Sequence, residues 1–315
     1  MKQKRWLALA GLIFILLVIL VAGCGQQPAP DSLSDDDAGN EIVESVESAS
    51  IMIGGSDSEV NLVTRLAEEF MNENAHIPIA VTGGGSGVGI SSLIDGGIDI
   101  ANSSRPMKDA ELENHLANQG DEAFAVRFAT DGVAVVVNEN NPVVELTVDQ
   151  VGAIYRGDIT NWSEVGGADQ EITLYGRQST SGTYVFFMEL VVQADYSPEM
   201  RNLPGTSDIV EAVAGDVGGI GYAAIGYADR EGVKAVNIAK DAGSTAYDPT
   251  VLENVTSGNY PLTRPLYQCV TGKPSGAILE FLLFETGDAG QSIVLDEGFY
   301  PITAADIEFN KKALE

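Results

Sequence analysis

Short apolar runs alternate with longer segments of helical periodicity along the chain beyond residue 50. The apolar runs, which we predict to be strands, cover residues 51–53, 77–81, 98–101, 133–137 and 171–175. Helical periodicity is clearest in residues 60–72, where one face carries Val63, Leu66, Ala67 and Phe70. Further helices are expected from residue 90 and over residues 184–192. The unbroken run 133–137 is typical of a buried parallel strand, and the alternation predicts an α/β fold.

Two loops rich in small residues stand out against this pattern. One covers residues 82–89 (TGGGSGVG) and the other residues 177–183 (RQSTSGT). Each follows a predicted strand and precedes a predicted helix. Together they offer backbone N–H groups, hydroxyls and the fixed positive charge of Arg177. This inventory suits a small tetrahedral oxyanion, which needs many donors and a close approach of the backbone.

The first residues of the chain indicate export. Lys2, Lys4 and Arg5 precede an apolar stretch over residues 6–22, which ends in small residues before Cys24. This order is that of a secretory signal, and its last residues resemble the lipobox of exported lipoproteins. The resemblance implies cleavage after residue 23 and a lipid on Cys24. The alternative is an uncleaved N-terminal membrane anchor, and both interpretations place the rest of the chain outside the cytoplasmic membrane.

Residues 24–48 have the composition of a tether. They are rich in Asp, Ser, Ala, Gln, Glu and Pro and poor in large apolar side chains, so they cannot bury enough surface to order themselves. We expect a flexible link between the lipid and the folded part, although a frayed terminus would predict the same disorder. Beyond Cys24 the only cysteine is Cys269, which lies in an apolar run and is expected to be a buried, inert thiol.

The charge and the residue types exclude several classes of protein. With 46 acidic and 17 basic residues the formal net charge is −29, which argues against binding to nucleic acid or anionic headgroups. His76 and His115 are the only histidines, and both lie outside the two loops. Neither Ser86 nor Ser181 has the Gly-x-Ser-x-Gly surroundings of a hydrolase, and no nucleotide-binding phosphate loop or cluster of metal ligands is present. We therefore expect neither catalytic residues, nor a cofactor, nor a metal.

The two loops belong to an ordered series of motifs that resembles the phosphate-binding proteins of phosphate ABC transporters. The resemblance covers nearly all of residues 50–305. The series reads GSDS (55–58), GSG (85–87), IDIANSSRP (98–106), TDGVAVVVN (130–138), IYRGDITNW (154–162), SGT (181–183), GIGY (219–222), YPLTRPLY (260–267) and GFYP (298–301).

The resemblance implies a two-lobed periplasmic-binding-protein fold of type II, a Venus flytrap with the ligand cleft between its lobes. It places lobe I in residues 49–134 and 261–315 and lobe II in residues 135–260. Strands would cross between the lobes near 133–137 and 264–270. The implied partners are inorganic phosphate and a membrane permease, to which a closed form would deliver the ligand at the outer face of the cytoplasmic membrane.

The family's site residues are carried over where the motifs match. Arg177 would bind phosphate through its planar fork, and the other matched residues would supply hydroxyls, N–H groups or close approach. These are Ser56, Ser58, Ser86, Gly87, Ser104, Ser181, Gly182 and Thr183. Alternatively, residues 181–183 are an ordinary helix N-cap and residues 83–89 a flexible turn.

One position departs from the family pattern. Some members have an Asp, which accepts a hydrogen bond from protonated phosphate and so rejects sulfate, where this chain has Ser104. Asp57 and Asp131 are the candidate replacements, with a preference for Asp131. The alternative is that Asp131 forms a structural salt bridge with Arg105 or Arg177.

Other functions stay open at this stage. A binding protein of this kind could take sulfate, molybdate or tungstate, although such sites often rely on neutral donors and Arg177 favours phosphate. The same fold also serves surface sensors and adhesion modules without transport.

Overall fold

The computed structural model describes residues 50–315, so the signal sequence, Cys24 and the tether lie outside the described residues. The strands are β1 (Ile51–Gly55), β2 (Ile79–Thr82), β3 (Ile100–Ser103), β4 (Ala123–Asn138), β5 (Glu145–Thr147), β6 (Thr173–Arg177), β7 (Arg201–Leu203), β8 (Gly219–Ala224), β9 (Val233–Ala235), β10 (Asn237–Ala239), β11 (Ala246–Tyr247) and β12 (Thr263–Thr271). The helices are α1 (Val60–Glu73), α2 (Ser86–Ile94), α3 (Asp109–Gln119), α4 (Val148–Arg156), α5 (Gly182–Phe187), α6 (Thr206–Ala214), α7 (Leu252–Thr256), α8 (Gly276–Thr286), α9 (Asp288–Asp296) and α10 (Ala304–Leu314). Among the described residues no helix combines the length and apolar character needed to span a membrane.

One long strand connects the two halves of the main sheet. The strand order is β2-β1-β3-β12-β4-β8-β6-β7. In β4, residues up to Gly132 pair with β12, whereas residues from Val133 onward pair with β8 and β9. We call the strands β1, β2, β3 and β12 the first half of the sheet and β6, β7, β8 and β9 the second half. The chain therefore passes from one half to the other inside a single 16-residue strand.

The apolar run 133–137 is a buried strand, as predicted, but its direction was predicted wrongly. Val133 pairs with Ala224 and Val137 with Ile220 in an antiparallel ladder. The whole run is fully buried. A continuous apolar run reports that both faces of a strand are covered, and coverage of both faces does not depend on the direction of the neighbouring strands.

Helix α1 packs on the first half of the sheet through the predicted face. Leu62, Val63, Leu66, Ala67 and Phe70 are its buried residues, which confirms the pattern read from the sequence. The ring of Phe70 lies 5.3 Å from that of Phe281 and 5.5 Å from that of Phe284, both on α8. These contacts hold the second half of α1 against α8.

Two helices differ in their bounds from the sequence prediction. Helix α2 begins at Ser86, inside the glycine loop, and the segment predicted as the helix 184–192 begins at Gly182 and continues from Met188 to Val192 as a π-helix. Cys269 is fully buried on β12 and is a free cysteine in the part of the chain that the structure describes, and burial raises the pKa of its thiol to about 12. The predicted burial of this thiol is thus confirmed.

Candidate functional site

The two small-residue loops meet where strands of both halves of the sheet end. The first loop joins β2 to α2, and the second joins β6 to α5. Gly87 N–H donates to the carbonyl oxygen of Thr180 at 2.9 Å, across the boundary between the halves. A second crossing contact joins the hydroxyls of Ser58 and Thr183 at 2.6 Å. The sequence pattern had placed these loops about ninety residues apart, and the fold brings them into direct contact.

Arg177 lies buried at this junction and is held from several sides. Its Nη2 contacts the Asp57 carboxylate at 2.5 Å, and its Nη1 donates to the Thr206 hydroxyl at 2.8 Å. Its backbone N–H donates to the Tyr222 hydroxyl at 3.0 Å. The other carboxylate oxygen of Asp57 accepts from the N–H of Gly84 at 2.9 Å. The guanidinium therefore has a fixed position, and Asp57 links it to the first half of the sheet.

Three of the predicted residues form a tight corner beside this pair. Ser86 Oγ lies 3.2 Å from Ser104 Oγ and accepts from the Ser104 N–H at 3.1 Å. A Cβ added to Gly182 would lie only 2.4 Å from Ser86 Oγ and 2.5 Å from Ser104 Oγ. Glycine is thus required at position 182, because its backbone lies so close to the two serine hydroxyls that no side chain fits between them.

The remaining predicted residues have clear local roles. Ser181 is the N-cap of α5, and its hydroxyl accepts from Tyr184 N–H at 3.4 Å, so the helix-cap alternative describes this side chain. Ser56 is buried, and its backbone N–H donates to the carbonyl oxygen of Asn102 at 3.0 Å.

Asp131 does not pair with the arginines proposed from the sequence. It is fully buried and pairs with Arg264, its direct cross-strand partner on β12, at 2.8 Å from Nη2 and 3.1 Å from Nε. Its second oxygen accepts from the N–H of Ile225 at 3.0 Å. Arg105 instead forms a bidentate pair with Glu111 at 2.7 and 2.8 Å. Since Asp131 already accepts three hydrogen bonds from the protein, it is a structural partner of Arg264.

Arg264 is a site residue that the sequence reasoning missed. Its Nη2 donates to Thr183 Oγ1 at 2.9 Å and lies 3.4 Å from Ser58 Oγ, so it touches the second loop and the turn after β1. Arg177 is therefore not the sole cation at this junction. The available signal was an arginine inside an apolar strand next to the predicted lobe crossing, which is a costly position unless a partner is close.

Glu59 was also missed, and it lies directly after Ser58 at the start of α1. It is fully buried, and neither carboxylate oxygen has a hydrogen-bond partner among residues 50–315. Burial raises the pKa of Glu59 well above its ordinary value, and the negative charges of Asp131 and Asp57 raise it further. Arg264 and the Ser56 hydroxyl act in the opposite direction, but neither forms a hydrogen bond of ordinary geometry with the carboxyl group.

The arrangement is suited to holding an anion. Two guanidinium groups and several hydroxyls meet at the N-terminal ends of α1, α2 and α5, which favour negative charge. His76 is exposed, and His115 contacts Thr271 away from the junction, so neither provides a base for a serine. Within residues 50–315 no group of three or more His, Cys, Asp or Glu residues is placed to hold a metal ion.

Comparison with known proteins gives the class of protein and then the family. A family model described as the PBP superfamily domain matches residues 42–289, and similar solved structures are two-lobed binding proteins. A substrate-binding protein with bound phosphate from Clostridium perfringens is 29% identical, with a TM-score of 0.74 over 81% of this chain and 100% of that chain. An ABC-type phosphate transport receptor from Vibrio cholerae is 31% identical, with a TM-score of 0.65 over 80% of this chain and 100% of that chain.

Curated relatives identify the family to which the chain belongs within this class of binding proteins. The phosphate-binding protein PstS of Pseudomonas aeruginosa is 32% identical, and that of Bacillus subtilis is 31% identical, each alignment covering 96% of both chains. The chain belongs to the PstS family of phosphate-binding proteins. These matches confirm the family and the two-lobed fold that the motif series predicted.

Proposed function

We propose that the protein binds inorganic phosphate between its two lobes, outside the cytoplasmic membrane, and delivers it to the permease of a phosphate ABC transporter. The observation that carries the proposal is the buried guanidinium of Arg177, fixed where the two loops meet. A planar fork with two directed N–H edges matches a phosphate edge better than a point charge does. Membership of the PstS family supports the same ligand.

Each lobe supplies part of the proposed site. We assign the first lobe to residues 49–134 and 261–315 and the second to residues 135–260. Phosphate oxygens accept from Arg177, from hydroxyls and from N–H groups of the first helical turns. The proposed ligand residues are Ser56, Ser58, Ser86, Gly87, Ser104, Ser181, Gly182 and Thr183, and Arg264 supports Thr183 from behind.

Asp57 is the acid that we propose to read the proton of phosphate. Its carboxylate is 19% exposed and lies against Arg177, whereas Asp131 is fully occupied by Arg264 and Ile225. An acceptor facing the ligand favours protonated phosphate over sulfate, because sulfate has no proton to donate. Asp57→Asn should therefore reduce the preference for phosphate over sulfate by about 5- to 150-fold, the equivalent of about 1–3 kcal/mol. Competition of sulfate with phosphate measures this, with the exposed Asp109→Asn as control; an unchanged ratio removes Asp57 from selectivity.

The lipid anchor is part of the same proposal. The small residues before Cys24 support cleavage and lipidation there, and residues 24–48 would then link the lipid to the folded part. Cys24→Ser should move the protein from the membrane to the soluble fraction in detergent-free fractionation. Continued retention in the membrane fraction would favour an uncleaved N-terminal anchor.

Calorimetric titration of the protein with phosphate and then with sulfate tests the proposed ligand. The protein is first unfolded and refolded to remove ligand carried over from the cell. We expect phosphate to bind with a Kd of about 1 μM or tighter, or about −8 kcal/mol, and sulfate to give no signal. Binding of sulfate or molybdate in place of phosphate would keep the fold and overturn the ligand. No binding of any oxyanion would favour a sensor or adhesion module.

A further inference from the structure

Glu59 lies immediately behind the proposed site, and no step of phosphate binding uses it. It follows Ser58 in the chain and occupies the N-cap position of α1, yet its side chain makes no capping hydrogen bond. It is 0% exposed, and both carboxylate oxygens lack a partner within residues 50–315. An ionised carboxylate in such a place loses its hydration and gains no hydrogen bond in return, so burial favours the neutral acid.

The groups that face Glu59 are mostly acidic. Asp57 faces it from its own turn and Asp131 from β4, while Arg264 on β12 is the one cation nearby among the described residues. Glu285 on α8 is also fully buried, and its pKa is raised by burial and further by Glu59. Cys269 on β12 is a neutral thiol. Arg264 is shared, because Asp131 already pairs with its Nη2 and Nε, while its Nη1 forms no hydrogen bond with Glu59 or with any other group within residues 50–315.

The charge of the cleft depends on this one proton. Arg177 pairs with Asp57 and Arg264 pairs with Asp131, so the two arginines and the two aspartates cancel. With Glu59 neutral, the cleft has no net charge before an oxyanion enters. With Glu59 ionised, the same cleft has a net charge of −1 at short range and repels a dianion in surroundings where water screens little.

We propose that Glu59 is held neutral behind the cleft and that its ionisation in alkaline solution is what weakens oxyanion binding. The inference rests on the proposed function and adds a residue that sets affinity without touching the ligand. Burial raises the pKa of Glu59 well above its ordinary value, so the carboxyl group ionises only as the pH rises through that raised pKa. Below that pH the proton is present and affinity is full. Above it, affinity falls by up to about tenfold for each pH unit, as one proton linked to binding requires.

Glu59→Gln separates the proton from the shape of the side chain, since the amide stays neutral at every pH. Glu68→Gln is the matched control, because Glu68 has the same side chain and lies on the same helix but is exposed. Calorimetry with inorganic phosphate gives the Kd of each protein from pH 7 to pH 10, with circular dichroism at each pH to verify the fold. Phosphate is already the dianion through the alkaline part of this range, and its own titration is common to all three proteins.

We expect all three proteins to agree within about threefold in Kd at pH 7. Toward pH 10 the wild type and Glu68→Gln should lose affinity together, while Glu59→Gln should lose at least tenfold less. Parallel curves for the wild type and Glu59→Gln would overturn the inference and leave the proposed function intact. Absence of phosphate binding by the wild type at every pH would overturn the proposed function, and the inference with it. If Glu59→Gln does not fold, Glu59→Met, also uncharged, replaces it in the same comparison.

Discussion

Gly182→Ala is the sharpest test of the close approach between the two lobes. In the structure a Cβ at this position would lie 2.4 Å from Ser86 Oγ and 2.5 Å from Ser104 Oγ. Ordinary van der Waals contact begins near 3.4 Å, so the new methyl group overlaps both oxygens by about 1 Å. The two serines are themselves in contact, and Ser104 N–H binds Ser86 Oγ, which limits how far either can turn away. The lobes must therefore separate to admit the methyl group.

We expect this substitution to weaken phosphate binding. Overpacking a close contact costs about 1–3 kcal/mol. Since about 1.4 kcal/mol corresponds to tenfold in affinity, the Kd for phosphate should rise by about 5- to 150-fold. The unliganded protein can relieve the overlap by opening, so its melting temperature should change little. Calorimetric titration gives the Kd, and the shift of melting temperature on adding phosphate gives an independent measure.

Gly97→Ala is the matched control for this substitution. The nearest atom to a Cβ at position 97 is the carbonyl oxygen of Ser92 at 3.5 Å, an ordinary contact far from the cleft. This variant should bind phosphate like the wild type. A Kd for Gly182→Ala within twofold of the wild type would refute the reasoning, because it would show that the binding-competent state does not bring residue 182 against the two serines.

Two further predictions concern charged groups. Arg177→Ala should weaken phosphate binding by about 100-fold or more, because it removes the directed donors and leaves Asp57 without its partner; calorimetry checks this against the control Arg156→Ala, and micromolar binding would remove Arg177 from the site. For Glu285, the folded-state pKa is raised, so the stability linked to its proton is full below the unfolded-state pKa of about 4.3 and is lost as pH rises. Glu285→Gln keeps the carbonyl that accepts from Gln268 and stays neutral, so it should resist urea better than the wild type at pH 8 and equally at pH 4.5; the same difference at both pH values would contradict this.

Much of the fold could be predicted from the sequence, because the local pattern of apolar and polar residues indicates which side chains are buried. The apolar face of α1 and the strands leading to both loops follow from periodicity alone, and the bounds differ by only a few residues. The antiparallel direction of β4 could not be read in this way. Direction depends on which strand arrives beside it, and a run buried on both faces looks the same in either case.

The part of the site that the sequence missed depends on pairing between distant residues. Asp131 and Arg264 are 133 residues apart in the chain and become partners only through the register of β4 and β12. The sequence offered Arg105 and Arg177 as partners because they lie in recognisable motifs. The register between two strands is set by the whole sheet. The arginine that pairs with Asp131 can therefore be identified only once the fold is known. Glu59 was missed for a related reason, since an acid at the start of a helix usually faces solvent.

The strand β4 belongs to both lobes, and this has a consequence for how the protein holds together. Nine of its first ten residues pair with β12 and its last six with β8 or β9, so each lobe supplies hydrogen-bond partners to the same continuous backbone. Removing either lobe would expose half of this strand as an unpaired apolar edge, which invites aggregation. The lobes are therefore not separable modules, because each one stabilises the strand on which the other depends. We expect the chain to melt in one cooperative step.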